Sequence, residues 1–319
     1  MTDYPAYFKA AKSGKLRKVA NALFDSLESC VICPRLCSVN RLENKTGFCK
    51  TKSLAKVYSF MAHHGEEPPI SGDKGSGTIF FSHCNMGCVY CQNYEFSQLG
   101  KGIEYTINQL AKLMLDLQSL GCHNINLVTP THVLPQILLS LELAARGGLS
   151  IPLVYNTSGY ELTSTIELLD GIVDVYLADM RYADSAISQR LSKAIDYPQR
   201  NQAAIIQMHR QVGVAEFFAS GLIKKGLIIR HLVLPNQSSG TDQIMKFIAQ
   251  EISPDTYISL MSQYLPYYQA SGYLEISRRL KAQEYKQAKK ILEKYNLSHG
   301  WIQESYGAER FAGVNIKPS

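Results

Sequence analysis

The feature that most constrains the fold is a series of short apolar runs separated by amphipathic segments. The runs are rich in Val, Ile, Leu, Phe and Tyr and occupy 78–82, 124–128, 152–156, 173–179, 227–234 and 257–261. Stretches with helical spacing lie between or after them, at 106–120, 133–146, 161–169, 184–194 and 241–251. Short buried strands alternating with helices are typical of βαβ units, which build a parallel sheet covered on both faces. The sequence therefore predicts an α/β protein.

The periodicity alone leaves the form of this sheet open. Six strand-like runs fit a partial or complete βα barrel, and they also fit an open doubly wound sheet. Further helices are predicted at 4–29 and 281–295. A chain of 319 residues has room for one such domain and an appendage.

Three cysteines follow the first apolar run with the spacing Cys-x3-Cys-x2-Cys, at Cys84, Cys88 and Cys91. Chemistry in α/β sheets and barrels gathers at the carboxyl ends of the strands, so these thiols lie where a site is expected. A structural zinc ion needs four closed ligands. Three thiolates on a four-iron cube leave one iron open to a ligand. Buried apolar cysteines or part of a zinc knuckle are the alternatives, and the spacing at a strand end favours an iron–sulfur cluster.

Four more cysteines, Cys30, Cys33, Cys37 and Cys49, lie in a segment with few long apolar runs. A bound metal could hold such a segment together where a hydrophobic core cannot. A zinc ion and a second iron–sulfur cluster both fit, and the spacing does not decide between them. The eighth cysteine, Cys122, is expected to be a small buried core residue.

The triplet, with Tyr90 directly before its last cysteine, resembles the signature of the radical S-adenosylmethionine enzymes. Other segments resemble an uncharacterised group of iron–sulfur proteins similar to pyruvate formate-lyase activating enzymes. The resemblance extends from about Cys30 to Tyr268. The segments that carry it are 30–41, 77–93, 126–132, 229–236 and 259–268.

This resemblance implies a partial (βα)6 barrel of the radical S-adenosylmethionine type with an N-terminal cysteine-rich extension. It implies a [4Fe-4S] cluster on Cys84, Cys88 and Cys91, with S-adenosyl-L-methionine bound at the open iron. Reductive cleavage would yield a 5′-deoxyadenosyl radical that abstracts hydrogen from a substrate. Such an enzyme, an oxidoreductase by its chemistry, would take its electron from flavodoxin or ferredoxin and would activate a partner protein. Radical modification of a peptide, small molecule or RNA, and a non-enzymatic electron carrier, stay open as alternatives.

One segment departs from the pattern that the resemblance leads us to expect. Activating enzymes usually carry Gly-Gly-Glu-Pro at the end of the second strand, where it helps to hold the amino group of S-adenosylmethionine. Here the corresponding segment, 128–132, reads Val-Thr-Pro-Thr-His. Thr129 or Thr131 could offer an oxygen to the cofactor, or the two threonines could simply form a turn and a helix cap.

Polar residues also end the later strands. Asn156 and Ser158 follow the third apolar run, Asp179 ends the fourth, and Arg230 lies within the fifth. Because the carboxyl ends of parallel strands face one side, these residues are expected to line an S-adenosylmethionine pocket, with Tyr90 near the adenine. A charge inside an apolar strand is costly unless paired, so Arg230 is expected to grip a carboxylate. Turns, caps and ion pairs within the core are the alternatives.

Composition narrows the setting of the chain. Its net charge of +6 is spread over small clusters, which suit solvated helix faces better than a nucleic-acid track. No apolar run reaches the length of a membrane span, and the first residues lack the apolar region of a signal peptide. Eight cysteines in a reducing compartment indicate metal or redox chemistry rather than disulfides. We therefore expect a cytoplasmic protein without a membrane partner, in which RNA binding is the less favoured alternative.

The predicted organisation has three regions. An N-terminal helix and cysteine-rich, metal-binding extension covers 1–75, the barrel core covers 76–270, and a C-terminal helix and tail cover 271–319.

Overall fold

The strands form one mixed sheet in the computed structural model, which describes residues 4–302 and 314–315. In chain order they are β1 (Ala55–His63), β2 (Ser76–Phe81), β3 (Ile103–Tyr105), β4 (Ile125–Val128), β5 (Leu153–Thr157), β6 (Val175–Asp179), β7 (Glu216–Phe217), β8 (Ile223–Leu232), β9 (Tyr257–Met261), β10 (Gly300–Ile302) and β11 (Val314–Asn315). All the predicted strands are therefore confirmed, as β2, β4, β5, β6, β8 and β9.

The central strands are parallel and follow one another in the order β2-β4-β5-β6-β8-β9-β10. A doubly wound sheet would reverse direction at a switch point, and this order has none. Right-handed crossovers that all proceed in one direction place their helices on one face, as in a barrel. The edge strands β3 and β11 are not paired with each other in the described chain, so the sheet is a partial, open barrel.

Four strands flank this parallel core, and the sequence pattern did not predict them. β1 pairs antiparallel with β2 and with β3, although it lies in the predicted cysteine-rich extension, where no strand was expected. β7 pairs with β8, and β11 with β10. The seventh parallel strand, β10, was also missed because it is only three residues long. Gly300 lets it approach β9, since a Cβ at this position would lie 2.0 Å from the carbonyl oxygen of Ile258.

The helices alternate with the parallel strands. They are α1 (Tyr7–Lys12), α2 (Lys15–Asp25), α3 (Pro68–Ser71), α4 (Tyr94–Ser97), α5 (Ile107–Ser119), α6 (Leu134–Arg146), α7 (Thr163–Glu167), α8 (Ser185–Ser192), α9 (Tyr197–Val212), α10 (Thr241–Phe247) and α11 (Ala282–Lys294). Single 3-10 turns and one π-helical turn, Ile248–Ile252, extend some of them. The predicted helices are confirmed, with the N-terminal one divided at Gly14, and α9 is an addition.

The helices cover the outer face of the sheet, where the main core lies. Alternate strand residues such as Leu127 and Ile229 are fully buried in this core with residues of the covering helices. A smaller apolar cluster on the inner face contains Val154 and Leu177 and is completed by Ile70 from α3. β1 ends beside the start of β2, so the 64–75 loop and α3 cover the amino-terminal end of the barrel.

None of the helices in the described ranges combines the length and apolarity needed to cross a bilayer. Beyond residue 302, the predicted C-terminal tail lies outside the described residues, and only β11 of it is described. The division of the chain at residues 75 and 270 stays a prediction.

Candidate active site at the carboxyl ends of the strands

The cysteine triplet lies on the loop that follows β2, at the carboxyl end of the parallel sheet. Cys88 is buried, and Cys84 and Cys91 are partly buried against the same apolar cluster. Burial, together with repulsion from the neighbouring thiolate of Cys88, raises the pKa of both Cys84 and Cys91. The three sulfurs are thus close enough to influence one another electrostatically. Buried thiols of this kind lose their protons readily only when a cation or metal compensates the charge.

Hydrogen-bond donors are directed at the first and third sulfurs. The amide of Met86 donates to Cys84 Sγ at 3.3 Å, and Cys91 Sγ lies 3.1 Å from the hydroxyl oxygen of Ser97. Donors of this kind stabilise the thiolate form, which is the form that binds iron.

The second sulfur has two donors, and one of them is charged. The Ser192 hydroxyl lies 3.0 Å from Cys88 Sγ, and Arg181 Nη1 lies 3.3 Å from the same atom. Arg181 is held in place by Asp179, which accepts from its Nε at 3.0 Å. Burial alone would lower the pKa of Arg181, but Asp179 and the neighbouring thiol and phenol groups keep it well above its usual range. A permanent positive charge therefore lies beside the predicted cluster.

This donor set suits a polynuclear cluster. In the described ranges, no three His, Cys, Asp or Glu side chains surround one point at the distances that a single metal ion requires. A four-iron cube binds each thiolate at a different iron, so the ligands of a cluster stand farther apart than the ligands of one ion. Partly buried thiols with donors and an arginine beside them match what an anionic cluster needs.

Four of the predicted site residues, Tyr90, Cys91, Asp179 and Arg230, line one open pocket above the sheet. Arg181 also lines it. The pocket therefore brings together one cysteine of the triplet, an acid, two guanidinium groups and an aromatic ring. This combination of charged groups and apolar surface is what a ligand with a carboxylate, an amine and an aromatic base requires.

Tyr90 lies on the buried wall of this pocket. Its hydroxyl accepts a hydrogen bond from Tyr182 at 2.6 Å, and its ring makes edge-to-face contacts with Tyr182 and Tyr264. Burial is the main cause of the raised pKa of Tyr90, so the phenol stays neutral. The ring is thus fixed as an apolar surface rather than an ionisable group.

Arg230 is paired with residues of three other elements. Its Nε donates to Asp179 at 2.9 Å, its Nη2 to the Asn156 side-chain oxygen at 2.6 Å, and its Nη1 to Glu66 at 3.4 Å. Sequence reasoning predicted that Arg230 grips a carboxylate, and in the structure these carboxylates belong to the protein itself. Asn156 contacts Arg230 directly and so lies next to the pocket.

The carboxylates around Arg230 respond differently to burial. Burial would raise the pKa of Asp179, but the Arg230 and Arg181 guanidinium groups outweigh it and hold that pKa below its ordinary value. For Glu66 burial is stronger than the attraction of Arg230, and its pKa is raised. The adjacent Glu67 has a pKa of about 7, again chiefly because it is buried. Asp179 is therefore the fixed negative charge of the site.

Thr129, Thr131 and Ser158 are placed differently and are not among the pocket-lining residues. Thr129 has a left-handed backbone with φ 60° and donates its amide to Asn156. The Thr131 hydroxyl donates to Glu161 at 2.6 Å. The Ser158 carbonyl accepts from a tyrosine hydroxyl, while its own hydroxyl is buried without a partner in the described chain. The proposed roles of these residues toward the cofactor stay predictions.

Helix α9, which the sequence pattern did not predict, positions the loops after β5 and β6. The Asn201 side chain donates to the carbonyl oxygens of Gly159 and Asp179, at 3.2 and 2.9 Å. Tyr197 donates to the carbonyl oxygen of Ser158 at 2.8 Å. Gly159 has φ 73°, and a Cβ there would lie 2.1 Å from Asn201 Nδ2, so only glycine fits this junction.

Sequence reasoning missed three charged residues at this site. Arg181 stands two positions after the end of β6, and an arginine so close to a strand end was a usable signal. Glu66 and Glu67 precede two prolines in a loop remote from the triplet in sequence. No local pattern indicated that this loop enters the barrel from its amino-terminal end, because that placement depends on β1 pairing with β2.

Comparisons with known proteins place the sequence in a family. The family model of the radical SAM superfamily matches residues 78–248, more than half of the chain. An uncharacterized protein of Methanocaldococcus jannaschii, MJ0674, is 34% identical over 281 residues, which cover 85% of this chain and 76% of that protein.

The solved structures that match the chain share little sequence with it. SuiB of Streptococcus suis bound to the precursor peptide SuiA is 13% identical with a TM-score of 0.48, over 70% of this chain and 47% of SuiB. Methylornithine synthase, PylB, is 13% identical with a TM-score of 0.43, over 71% and 63% of the two chains. The chain thus spans less than two thirds of the length of either structure. On the strength of the family model and the sequence relative, this chain belongs to the radical S-adenosylmethionine superfamily.

Proposed function

We propose that the chain cleaves S-adenosylmethionine at a [4Fe-4S] cluster held by Cys84, Cys88 and Cys91, in order to abstract hydrogen from a substrate. Membership of the superfamily implies an enzyme with an iron–sulfur cluster and S-adenosylmethionine as cofactors. The observation that supports the assignment to these residues is that Cys91 and the charged residues Asp179 and Arg230 border one pocket.

The bound cluster and S-adenosylmethionine together supply the electron transfer and the 5′-deoxyadenosyl radical. The chain supplies the ligands and the surroundings. Arg181, beside Cys88 Sγ, offsets negative charge at the cluster and makes its reduction easier. Its guanidinium is partly exposed to the pocket and can also donate hydrogen bonds to the carboxylate of the methionine part.

The rest of the pocket orients the bound molecule and limits water. Tyr90 presents a neutral ring held by Tyr182 and Tyr264. Asp179 stays ionised and provides an acceptor for ammonium or hydroxyl donors. Because Arg230 is already paired with Asp179, Asn156 and Glu66, we assign it to holding Asp179 in place before any contact with the cofactor.

The reaction within this class is proposed from the resemblance of the sequence. We assign the chain to the activating-enzyme-like group, with a partner protein as substrate and flavodoxin or ferredoxin as electron donor. The pocket is open to solvent beside the half-exposed Tyr267, so a polypeptide segment could approach it. The expected cytoplasmic location also stays a prediction.

The test is reductive cleavage of S-adenosylmethionine by the anaerobically reconstituted protein. Wild-type protein should form 5′-deoxyadenosine when a strong reductant is added. Replacing Cys84, Cys88 and Cys91 together by alanine should abolish this product and leave the far-ultraviolet circular dichroism unchanged. Cys122→Ala is the matched control, because Cys122 is a buried cysteine on another loop, and its product yield should stay near that of wild type.

Two outcomes would contradict the proposal. Undiminished 5′-deoxyadenosine from the triple variant would remove the cysteines from the chemistry. A reconstituted wild-type cluster that undergoes reduction but yields no 5′-deoxyadenosine would favour an electron carrier, which normally protects its cluster with four protein ligands.

A further inference from the structure

A second group of cysteines comes together outside the pocket described above. Cys30, Cys33, Cys37 and Cys49 all line one small cavity between the N-terminal segment and the barrel. They are spread over 20 residues from Cys30 to Cys49, so their approach is a result of the fold and not of their spacing alone.

The chain is built tightly around the third of these thiols. The amide of Phe48 donates to Cys37 Sγ at 3.4 Å. A Cβ on the preceding Gly47 would lie 2.6 Å from the same sulfur, so a residue with a side chain would push Cys37 out of place. Amide donors and close backbone approach are usual around metal-bound thiolates.

A buried arginine beside the cavity has no full counter-charge in the described chain. Arg41 is 1% exposed, the largest of the fully buried side chains. Its guanidinium donates to the Lys52 carbonyl oxygen at 2.9 Å, and its Nη1 lies 3.7 Å from Cys30 Sγ. A buried charge is costly unless it is paired. Neutral thiols would not offset the desolvation cost of the buried Arg41 guanidinium. An anionic thiolate–metal centre next to Arg41 would supply a compensating negative charge.

An imidazole on the cavity wall presents a bare nitrogen. His132 is 1% exposed, and its Nε2 lies 2.8 Å from the Ser82 carbonyl oxygen. Because a carbonyl only accepts, Nε2 carries the proton and Nδ1 keeps its lone pair. This Nδ1 is buried and has no hydrogen-bond partner in the described chain. A buried nitrogen with a free lone pair is a position at which a ligand can be bound.

From these contacts we infer that Cys30, Cys33, Cys37 and Cys49 hold a second thiolate-bound metal centre, a zinc ion or an iron–sulfur cluster. In the part of the chain that the structure describes, the sulfurs do not stand at the distances of ligands to one ion. A zinc ion would therefore draw them together, and a cluster would occupy the space between them. Both are the same thiolate chemistry, with Arg41 balancing the charge.

The second centre would lie next to the first. Arg35, two residues after Cys33, donates from Nε to the Asn85 carbonyl oxygen at 2.8 Å. Its Nη2 donates to the carbonyl oxygen of Ser192, whose hydroxyl bonds Cys88. The cysteine-rich segment thereby contacts the loop that carries Cys84, Cys88 and Cys91.

The test uses full-length protein in which Cys84, Cys88 and Cys91 are replaced by alanine, so that only the second centre can bind. Metal and sulfide are measured per chain after passage over a chelating resin, once from zinc-supplemented cells and once after anaerobic reconstitution with iron and sulfide. About one zinc ion, or iron and sulfide in equal amounts with visible absorbance, would support the proposal and would identify the centre. This result does not depend on S-adenosylmethionine cleavage, which the variant lacks.

Further variants in the same background locate the metal. Cys49→Ser should lose it, and Cys122→Ser, the control, should retain it. The K-edge absorption fine structure of the bound metal should show sulfur neighbours, which stays informative even if Cys49→Ser folds poorly. No metal in either preparation, metal with only oxygen and nitrogen neighbours, or full retention in a folded Cys49→Ser protein would overturn the proposal.

Discussion

Removing Arg230 tests whether the polar interior of the barrel depends on one cation. Arg230 connects Asp179 and Glu66, and their side chains are only 18%, 9% and 9% exposed. Replacement by alanine leaves both carboxylates buried with less compensation. Breaking a buried pair from one side typically costs about 3–5 kcal/mol. Since Arg181 still contacts Asp179, we expect the lower part of that range, about 3 kcal/mol.

The loss of stability should itself depend on pH. Without Arg230, the folded-state pKa values of Asp179 and Glu66 rise, so the folded variant holds protons that the unfolded chain has released. Its free energy of unfolding should then fall further below that of wild type as the pH rises from about 5 to 8. Near pH 5 protonation relieves the buried charges, and the difference between variant and wild type should shrink.

The measurement is urea unfolding of the cluster-free proteins, followed by far-ultraviolet circular dichroism at pH 5.5 and pH 8. Arg190→Ala is the control, because Arg190 pairs with Glu275 at 2.7 Å but its own side chain is 56% exposed. Exposed pairs contribute about 1 kcal/mol or less. A loss at Arg230 no larger than at Arg190, or a loss that is equal at both pH values, would refute the reasoning. S-adenosylmethionine is absent throughout, so the result is independent of the predicted role of Arg230 in binding it.

Other predictions concern separate parts of the molecule. Burial raises the pKa of Glu161 to about 7 from an ordinary 4.5, so wild-type stability falls as pH rises through this interval. Glu67 and Asp174, also with pKa values of about 7, add to that fall. In urea titrations at several pH values, Glu161→Gln should reduce the slope of unfolding free energy against pH by about 1.4 kcal/mol per pH unit. An unchanged slope would contradict the raised pKa of Glu161. Thr106→Ala removes the capping box of α5 and should lower the unfolding free energy by about 1 kcal/mol. The yield of 5′-deoxyadenosine should stay unchanged, and a loss of yield would show that this end of α5 supports the active site. Arg181→Gln should shift the midpoint potential of the cluster by roughly 50–100 mV toward negative values, where about 59 mV is a tenfold change in a one-electron equilibrium. A dye-monitored redox titration measures this shift, and an unchanged potential would show that Arg181 does not lie beside the cluster.

Much of the parallel sheet could be predicted from the sequence, because fully buried strands appear as continuous apolar runs. The cysteine triplet was recognisable for a related reason. Its ligands are adjacent in sequence, so their spacing and their position after a strand are local properties. Periodicity did not separate a barrel from a doubly wound sheet. The strand order, which is a tertiary property, decides for the partial barrel.

Helix α9 shows where the local signal was present but weak. Ala204, Met208 and Val212 repeat at helical spacing, yet many polar residues interrupt the segment and no strand was predicted to follow it directly. Its role became visible only in the structure, where Asn201 supports the backbone of Asp179. The supporting role of a side chain such as Asn201 depends on its contact with a distant segment, so its neighbours in the sequence do not indicate that role.

The surroundings of Arg230 and Arg41 depended wholly on the tertiary structure. Sequence reasoning required that Arg230 have a carboxylate partner, because an unpaired charge in a strand is costly. It could not name Glu66, which lies 164 positions away and reaches the barrel only because β1 pairs with β2. Likewise, only the fold brings His132 to the cavity that the N-terminal cysteines line. Which apolar segments become buried can be predicted from local composition. The partner of a buried charge depends on which distant segment packs against it, and only the tertiary structure shows that segment.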